Sequence, residues 1–513
     1  MTYHMARVMH WVQNKSIDHY PSHVLRQHYQ PPFTEYIILH LQILNGTDRW
    51  ANLVQLFFFT NILLIVSLIT KELGGNKQVQ IVSIFLTATI PMAVLEANST
   101  QNDLVNSCWV LASVYFLIRL LKDKETAIYL PIICTALSIG LAVFTKSISY
   151  IWLFPFCLGA GIYLVFVCRK FLRLTILIGT ILTSILFLNA GHFYRNYKIY
   201  KHILGGTQEE RQAYTNASHT LPKLLSNIIR NIALHLRTDF SYWNRLVRVV
   251  TLKIHQWLNL TIHEPSITYA GSGQLRSYDN WLAFDEDTAG NFFHFQLIVF
   301  TCILILVNLK KYSSIIFRYY LLACILGFLL FCIYLRWQEW HVRLHLPLFI
   351  LFMPISAIML YNREKIINFI TPVFLIFSIF CLLFNTHKPV LPLKLNNYVT
   401  IWNQKRLNLY NNSATQLIEL ADYIVKDSTH RVGLILNADD GDYLYWVFLK
   451  NKSKSISINH INVTNPSGKI KCFNVIPQYI IASTDVGKSV TTEYGVYQKV
   501  KNIGFSHIYK LPK

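Results

Sequence analysis

The most regular feature of the chain is the alternation of long apolar runs with short polar breaks. Ten runs stand out, at 51–70, 78–96, 104–121, 127–144, 148–168, 174–191, 293–309, 315–335, 344–361 and 366–385. A helix that crosses a bilayer needs roughly 20 mostly apolar residues, and each run approaches that length. The stretch "IFSIFCLLF" (376–384) carries no charge at all. The pattern predicts a polytopic α-helical membrane protein with about ten spanning helices over 51–385. Two segments depart from it. Residues 1–50 are polar and rich in His, Tyr and Arg, and residues 386–513 switch to strand-like patterning. In the latter, "HRVGLILNA" (430–438), "SISINHINV" (455–463) and "PQYIIAST" (477–484) read as strands. With "GDYLYWVFLKN" (441–451) as a helix, they predict a small α/β C-terminal domain.

Composition agrees with a membrane protein: 53% of the 513 residues are hydrophobic and 14% charged, against about 25% charged in soluble chains. The net charge of +21 does not point to nucleic acid, because the positive residues sort by loop. The short loops "KELGGNK" (71–77), "RLLKDKE" (119–125), "CRKFLR" (168–173), "LKKYSS" (309–314) and "YNREK" (361–365) are basic and read as cytoplasmic. Alternation then places 1–50, 97–103, 145–147, the long loop 192–292, 336–343 and 386–513 outside. Polar chemistry therefore gathers on one face. The chain would also start outside with nothing to carry residues 1–50 across, so a further helix is expected before Met1. Eight of the nine cysteines lie in or beside the apolar runs, Cys472 stands apart, and no CxxC occurs; they read as small apolar fillers.

The outer loops hold the candidate chemistry. In "LEANSTQNDLVNSCW" (95–109), Glu96, Gln101, Asn102 and Asp103 form a polar knot between two spans. Asn102 and Asp103 also suit an N-cap, which explains one residue but not the run. Lys146 sits in a very short outer turn, where it would snorkel or meet a lipid phosphate. Arg195 and Lys198 alternate with Tyr194, Tyr197 and Tyr200, as in an interfacial belt, and an Arg there also suits a bidentate phosphate contact. "RWQEWHVRLHLPLF" (336–349) is the densest group, with Trp340 for a sugar face and His341, Arg343 and His345 for oxygens. The i, i+4 histidines lack the Glu of HExxH, so zinc is a weak reading. Asp285, Glu286 and Asp287 would bind a divalent cation or cap a helix. "NADDGDY" (437–443) stands at the loop position where α/β sheets bind ligands but lacks a Gly-rich phosphate fingerprint, so an acidic turn is the better reading. The loop 192–292 is too long for a connector and contains an amphipathic stretch, 221–238, expected to lie along the membrane, to cover the outer cavity or, equally, to pack on its own protein. The spans carry almost no ionisable groups, which disfavours an ion-coupled carrier.

Taken in order, "TYHMARVMHW…HYQPP", "STQNDLV", "GLAVFTKS", "GHFYRNYKIY", "LLSNIIRNIALHLRT", "DEDTAGN" and "WQEWHVRLHLPLF" resemble the bacterial family-39-like membrane glycosyltransferases. These are relatives of protein O-mannosyltransferases and aminoarabinose–lipid A transferases with the GT-C fold. The resemblance covers residues 1–385 and implies transfer of a sugar from a polyprenyl-phosphate donor to an extracytoplasmic acceptor by one inverting displacement. In that scheme a carboxylate takes the acceptor proton and basic groups hold the leaving phosphate. On the matching positions it implies Asp103 as the site acid. Lys146, Arg195 and Arg343 would bind the donor phosphate, and Tyr3, His4, Gln101, Asn102, Trp340, His341 and His345 would contact substrate. The family's expected base lies just before the segment that Tyr3 and His4 match, and so would precede Met1. Asp18 and Glu35 are the acids left in 1–50. Asp285 stands where relatives often have His, which leaves metal use open, with a divalent cation possible and no other cofactor implied. The implied partners are the lipid-linked donor, the acceptor and membrane lipids, with the site on the periplasmic side of an inner membrane. A non-catalytic polyprenyl-lipid-binding protein is the alternative, and a transporter a third.

Overall fold

The computed structural model describes residues 3–512 except 123–127, 239, 273–283, 309–313, 393–399, 411–413, 428–429 and 471–475. Cys472 and parts of the basic loops 119–125 and 309–314 lie outside the described residues. The chain divides into two compact units. One comprises Asn52–Ala190 and Gln208–Leu393, the other Met1–Ala51, Gly191–Thr207 and Lys394–Lys513.

In all ten apolar runs the described residues are mainly helical. Six of the described helices are long and apolar enough to cross a membrane: Leu53–Glu72, Asp103–Lys122, Ser149–Val167, Phe171–Tyr200, Ile315–Tyr334 and Glu364–Leu383. Tyr129–Thr145, Phe292–Val307 and Leu346–Leu360 are apolar but shorter. The protein is a multi-pass membrane protein. The run 78–96 is not one span but two helices, Lys77–Ala88 and Pro91–Glu96. Pro91 has no N–H to donate, and its ring drives the preceding residue out of the helical region. Ile90 accordingly has ψ 117°.

The spans differ in what covers them. In Asp103–Lys122, 78% of the apolar window is buried, against 11% in Phe171–Tyr200 and 17% in Glu364–Leu383. The first is therefore the core of the bundle, and the other two present apolar faces that the described residues leave uncovered, as spans facing lipid do. Asp103–Lys122 packs on Tyr129–Thr145, Leu53–Glu72, Ser149–Ile162 and Leu346–Leu360, so residues at its first turn are enclosed by the ends of its neighbours. The amphipathic stretch forms the helix Leu221–His235, turned polar side inward. Ser226, Asn227, Arg230 and Asn231 are buried, while Leu221 and Leu225 are exposed. Arg230 Nη1 donates to Thr268 Oγ1 at 2.7 Å and to Ile262 O at 2.9 Å. Inward satisfaction of polar groups with leucines outside is the arrangement a lipid-facing helix needs.

The other unit contains a six-stranded sheet in the order β2-β1-β3-β6-β5-β4. The strands are β1 Arg431–Ile435, β2 Ser457–His460, β3 Tyr479–Ala482, β4 Ser489–Thr492, β5 Gly495–Ile503 and β6 Ser506–Lys510. β1 runs parallel to both β2 and β3, and the remaining pairs are antiparallel. The helix Tyr443–Lys452 makes the crossover between β1 and β2. Ile480 of β3 packs with Tyr497 and Tyr509 in the core. Gly504, at φ 56°, makes the turn from β5 to β6, and a Cβ there would meet Gln416 Oε1 at 2.1 Å. Residues from the start of the chain complete this unit. β2 is an edge strand, and Gln13 of the helix His4–Asn14 pairs with its backbone: Nε2 donates to Ile458 O at 3.0 Å and Oε1 accepts from Ile458 N at 2.9 Å. An edge occupied in this way is closed to further strand pairing.

Candidate functional site

Asp103 opens the most buried span, and Lys146 follows the helix Tyr129–Thr145. Lys146 Nζ donates to Asp103 Oδ1 at 2.6 Å, with both side chains nearly enclosed. Burial pulls the Lys146 ammonium below its usual range, Asp103 opposes this, and Arg343 adds to the downward pull. Asp103 Oδ2 is buried and makes no hydrogen bond. An ion pair taken out of water is stable only if its geometry is good and its remaining polar atoms are met, so a bare carboxylate oxygen there is a place for a ligand group.

Gln55 holds this end of the bundle together. Its Oε1 accepts from the backbone N–H groups of Leu104 and Val105 at 3.1 and 3.2 Å, and its Nε2 donates to Glu96 Oε2 at 2.7 Å. The cap expected from Asn102 or Asp103 thus comes from Gln55 instead. A carboxamide on a neighbouring span can satisfy both the helix end and a carboxylate, which leaves Asp103 for Lys146. Asn102 Nδ2 donates to Thr145 O at 3.2 Å, tying the loop that carries Asp103 to the residue before Lys146.

Arg343 Nη1 donates to Asp287 Oδ1 at 2.7 Å, and Gln101 Nε2 donates to the same oxygen at 3.2 Å. Glu96, Asp103, Lys146, Asp287 and Arg343 all lie close enough to act on one another's charges. The three consecutive acids separate. Asp285 Oδ1 accepts from the N–H groups of Asp287 and Thr288, both at 2.8 Å, and so builds the turn. Glu286 pairs with His387 at 3.7 Å and Lys388 at 3.5 Å. Three carboxylates with three different partner sets do not form a cation cage.

His341 and His345 are fully buried. His341 Nδ1 lies 2.8 Å from Asn231 Oδ1, and His345 Nδ1 lies 3.0 Å from His235 Nε2. Phe331 packs against both rings, and half-buried Trp340 meets the Tyr269 ring edge-on. The structure therefore joins Asp103 with Lys146, and Gln101 with Arg343 through Asp287. It seats the two histidines against Asn231 and His235, in the amphipathic stretch 221–238, where the sequence reading named no site residue. Arg195, Tyr3 and His4 belong to the sheet-containing unit. Arg195 Nη2 donates to Tyr36 OH at 2.6 Å, the Tyr3 ring lies tilted against the His4 ring, and His4 Nδ1 lies 2.7 Å from Glu35 Oε1. Burial raises Glu35, but Arg7 and His4 outweigh it and hold the carboxyl below its usual range. Asp18 is exposed.

Gln55 escaped the sequence reading because one polar residue in an apolar run is most often a packing detail. Its signal was a carboxamide near the end of that run that adjoins the polar knot at 96–103.

Fold and site together define a polytopic membrane protein with the GT-C architecture and a buried ionic cluster at the end of its central span. The family of dolichyl-phosphate-mannose-protein mannosyltransferases matches residues 29–193. Among solved structures, ArnT from Cupriavidus metallidurans bound to undecaprenyl phosphate superposes with a TM-score of 0.50 at 10% identity, over 98% of this chain and 96% of that one. The apo form of the same protein gives 0.51 at 11% identity, over 96% and 88%. The shared fold is what these similarities show. No curated protein matches the chain in sequence.

Proposed function

We propose that the protein is a membrane glycosyltransferase that moves a sugar from a polyprenyl-phosphate donor to an extracytoplasmic acceptor. The observation that carries the reading is the buried Lys146–Asp103 pair with Arg343 in the same field of charge, placed at the end of the central span of a GT-C fold. A lipid tail fits an apolar bundle, and a phosphate fits an ammonium and a guanidinium set at its end. ArnT, which shares the fold, has been solved with undecaprenyl phosphate bound. In this account Lys146 and Arg343 take up the charge that develops on the leaving phosphate. Asp103 orients Lys146 through Oδ1 and accepts the proton of the attacking hydroxyl through Oδ2. Trp340, His341 and His345 bound the sugar, and Gln101 and Asn102 hold the loop. The site faces the periplasm.

The test is transfer of labelled sugar from a polyprenyl-phosphate donor by the purified chain in lipid. Asp103→Asn keeps the shape and removes the base, and transfer falls at least ~100-fold. Unchanged transfer removes Asp103 from the chemistry. Donor binding without any transfer by the wild type supports the lipid-binding alternative instead.

A further inference from the structure

A second cluster lies in the sheet-containing unit and takes no part in the site above. His10, Asp442 and His460 are buried, and one ligand atom from each lies within 4.8 Å of the others. His10 Nε2 is 3.5 Å from Asp442 Oδ2, and His460 Nε2 is 3.0 Å from the same oxygen. Tetrahedral zinc with arms of ~2.0–2.1 Å places neighbouring ligand atoms about 3.3 Å apart, and these two spacings fall on either side of that value. His10 Nε2 and Asp442 Oδ1 are buried without a hydrogen bond. Polar atoms left without a partner in a core are costly, and a single cation would meet both.

The surroundings have the form of an outer ligand shell. Gln27 Nε2 donates to Asp442 Oδ2 at 3.0 Å, and Gln27 Oε1 accepts from Tyr20 OH at 2.9 Å and Ser22 Oγ at 3.0 Å. The His10 ring stacks on Tyr20 at 4.0 Å and meets the edge of Trp446 at 4.9 Å. Both contacts fix the plane of the imidazole, as ligating histidines require. His460 Nδ1 lies 3.1 Å from His23 N and 3.0 Å from His23 Nδ1.

We infer that His10 Nε2, Asp442 and His460 Nε2 bind one zinc-class divalent cation, which ties the helix His4–Asn14 to the α/β domain. Two imidazoles and one carboxylate suit zinc rather than magnesium or calcium, which take oxygen shells. The fourth position falls to Asp442 Oδ1 or a water. Each imidazole binds the ion through a bare Nε2. At His460 the ring hydrogen moves from Nε2, where it faces Asp442, to Nδ1, where His23 Nδ1 accepts it and the His23 N–H gives up its bond. The ion is structural, since its ligands are enclosed and come from two distant parts of the chain.

The experiment uses the full chain in detergent, stripped with a chelator and titrated with Co(II) and then Zn(II). The expected result is one equivalent of Co(II) with the visible bands of a tetrahedral site, bleached as Zn(II) displaces it. Zn(II) also raises the unfolding temperature of the wild type. Asp442→Asn, which keeps the shape and its hydrogen bonds, and His10→Gln both abolish the bands and the zinc-dependent rise while their metal-free unfolding transitions stay cooperative. The chain has 19 histidines, so adventitious surface binding is the rival outcome. Bands that persist in both variants, or a wild type that shows none, overturn the inference.

Discussion

The Asp103–Lys146 pair and the His10–Asp442–His460 cluster are both buried and polar, yet the chain builds them in opposite ways. Asp103 and Lys146 sit at the ends of nearby spans that pack side by side. Once each span crosses the bilayer, alternate loops must share a face, and the loop before one helix and the loop after its packed neighbour have little room to be apart. His10 lies near the start of the chain and its partners near the end, with the whole helical unit between them in sequence. Nothing local requires them to meet. The spans turn sequence order into proximity, whereas the sheet-containing unit relies on tertiary packing to bring its ends together.

This contrast governs what a perturbation does, and the largest effect is expected in the helical unit. Lys146→Met leaves Asp103 as an uncompensated buried charge and destabilises by ~3–5 kcal/mol. Adding Asp103→Leu to that variant restores most of the loss, which unfolding in detergent measures as a strongly non-additive double-mutant cycle. Additive losses would mean that the two residues do not act as a pair. In the sheet-containing unit, Ile480→Ala removes a fully buried core side chain and costs about 3 kcal/mol. Polyprenyl-phosphate binding by that variant stays unchanged if the two units serve separate purposes, and a matching loss of binding would break the distinction.

The smallest effect concerns pH. The Glu286 carboxylate, 3.7 Å away, raises His387 above 6.5. Burial raises Glu286, but His387 and Lys388 outweigh it and hold the carboxyl at about 2. His387 contributes fully below 6.5 and loses its contribution as pH rises through its raised value. Glu286 contributes fully above 4.5 and loses its contribution as pH falls toward about 2. The pair is therefore most stabilising between 4.5 and 6.5. His387 is 54% exposed, so the gain is at most ~1 kcal/mol. The stability difference between wild type and His387→Gln should peak in that window, and a flat difference would show that the pair is solvated.

How much was legible follows the same division. The ten apolar runs, the strands β1, β2 and β3 and the crossover helix were visible because burial imposes a period and a length on them. The sequence singled out Asp103, Lys146 and Arg343 because polar residues between spans are conspicuous. The break at Ile90 was written in Pro91 but masked by the apolar residues on both sides. Asp442 was hidden in what reads as an acidic turn. Asp440 does make the turn, accepting from Asn437 N at 2.7 Å, while Asp442 turns inward to histidines that no local pattern connects to it. The inversion of Leu221–His235 was half visible: periodicity marked its apolar face but not that its polar face would be the buried one.

The central claim is that Lys146 and Arg343 hold a lipid-linked phosphate. Equilibrium binding of polyprenyl phosphate to the purified chain, compared with Arg343→Gln and Lys146→Ala, tests it most directly. Loss of one charge-assisted hydrogen bond is worth ~1.5–3 kcal/mol, so each variant should bind at least ~10-fold more weakly while Ile480→Ala binds as the wild type does. Cooperatively folded Arg343→Gln and Lys146→Ala proteins that bind polyprenyl phosphate with wild-type affinity would contradict it.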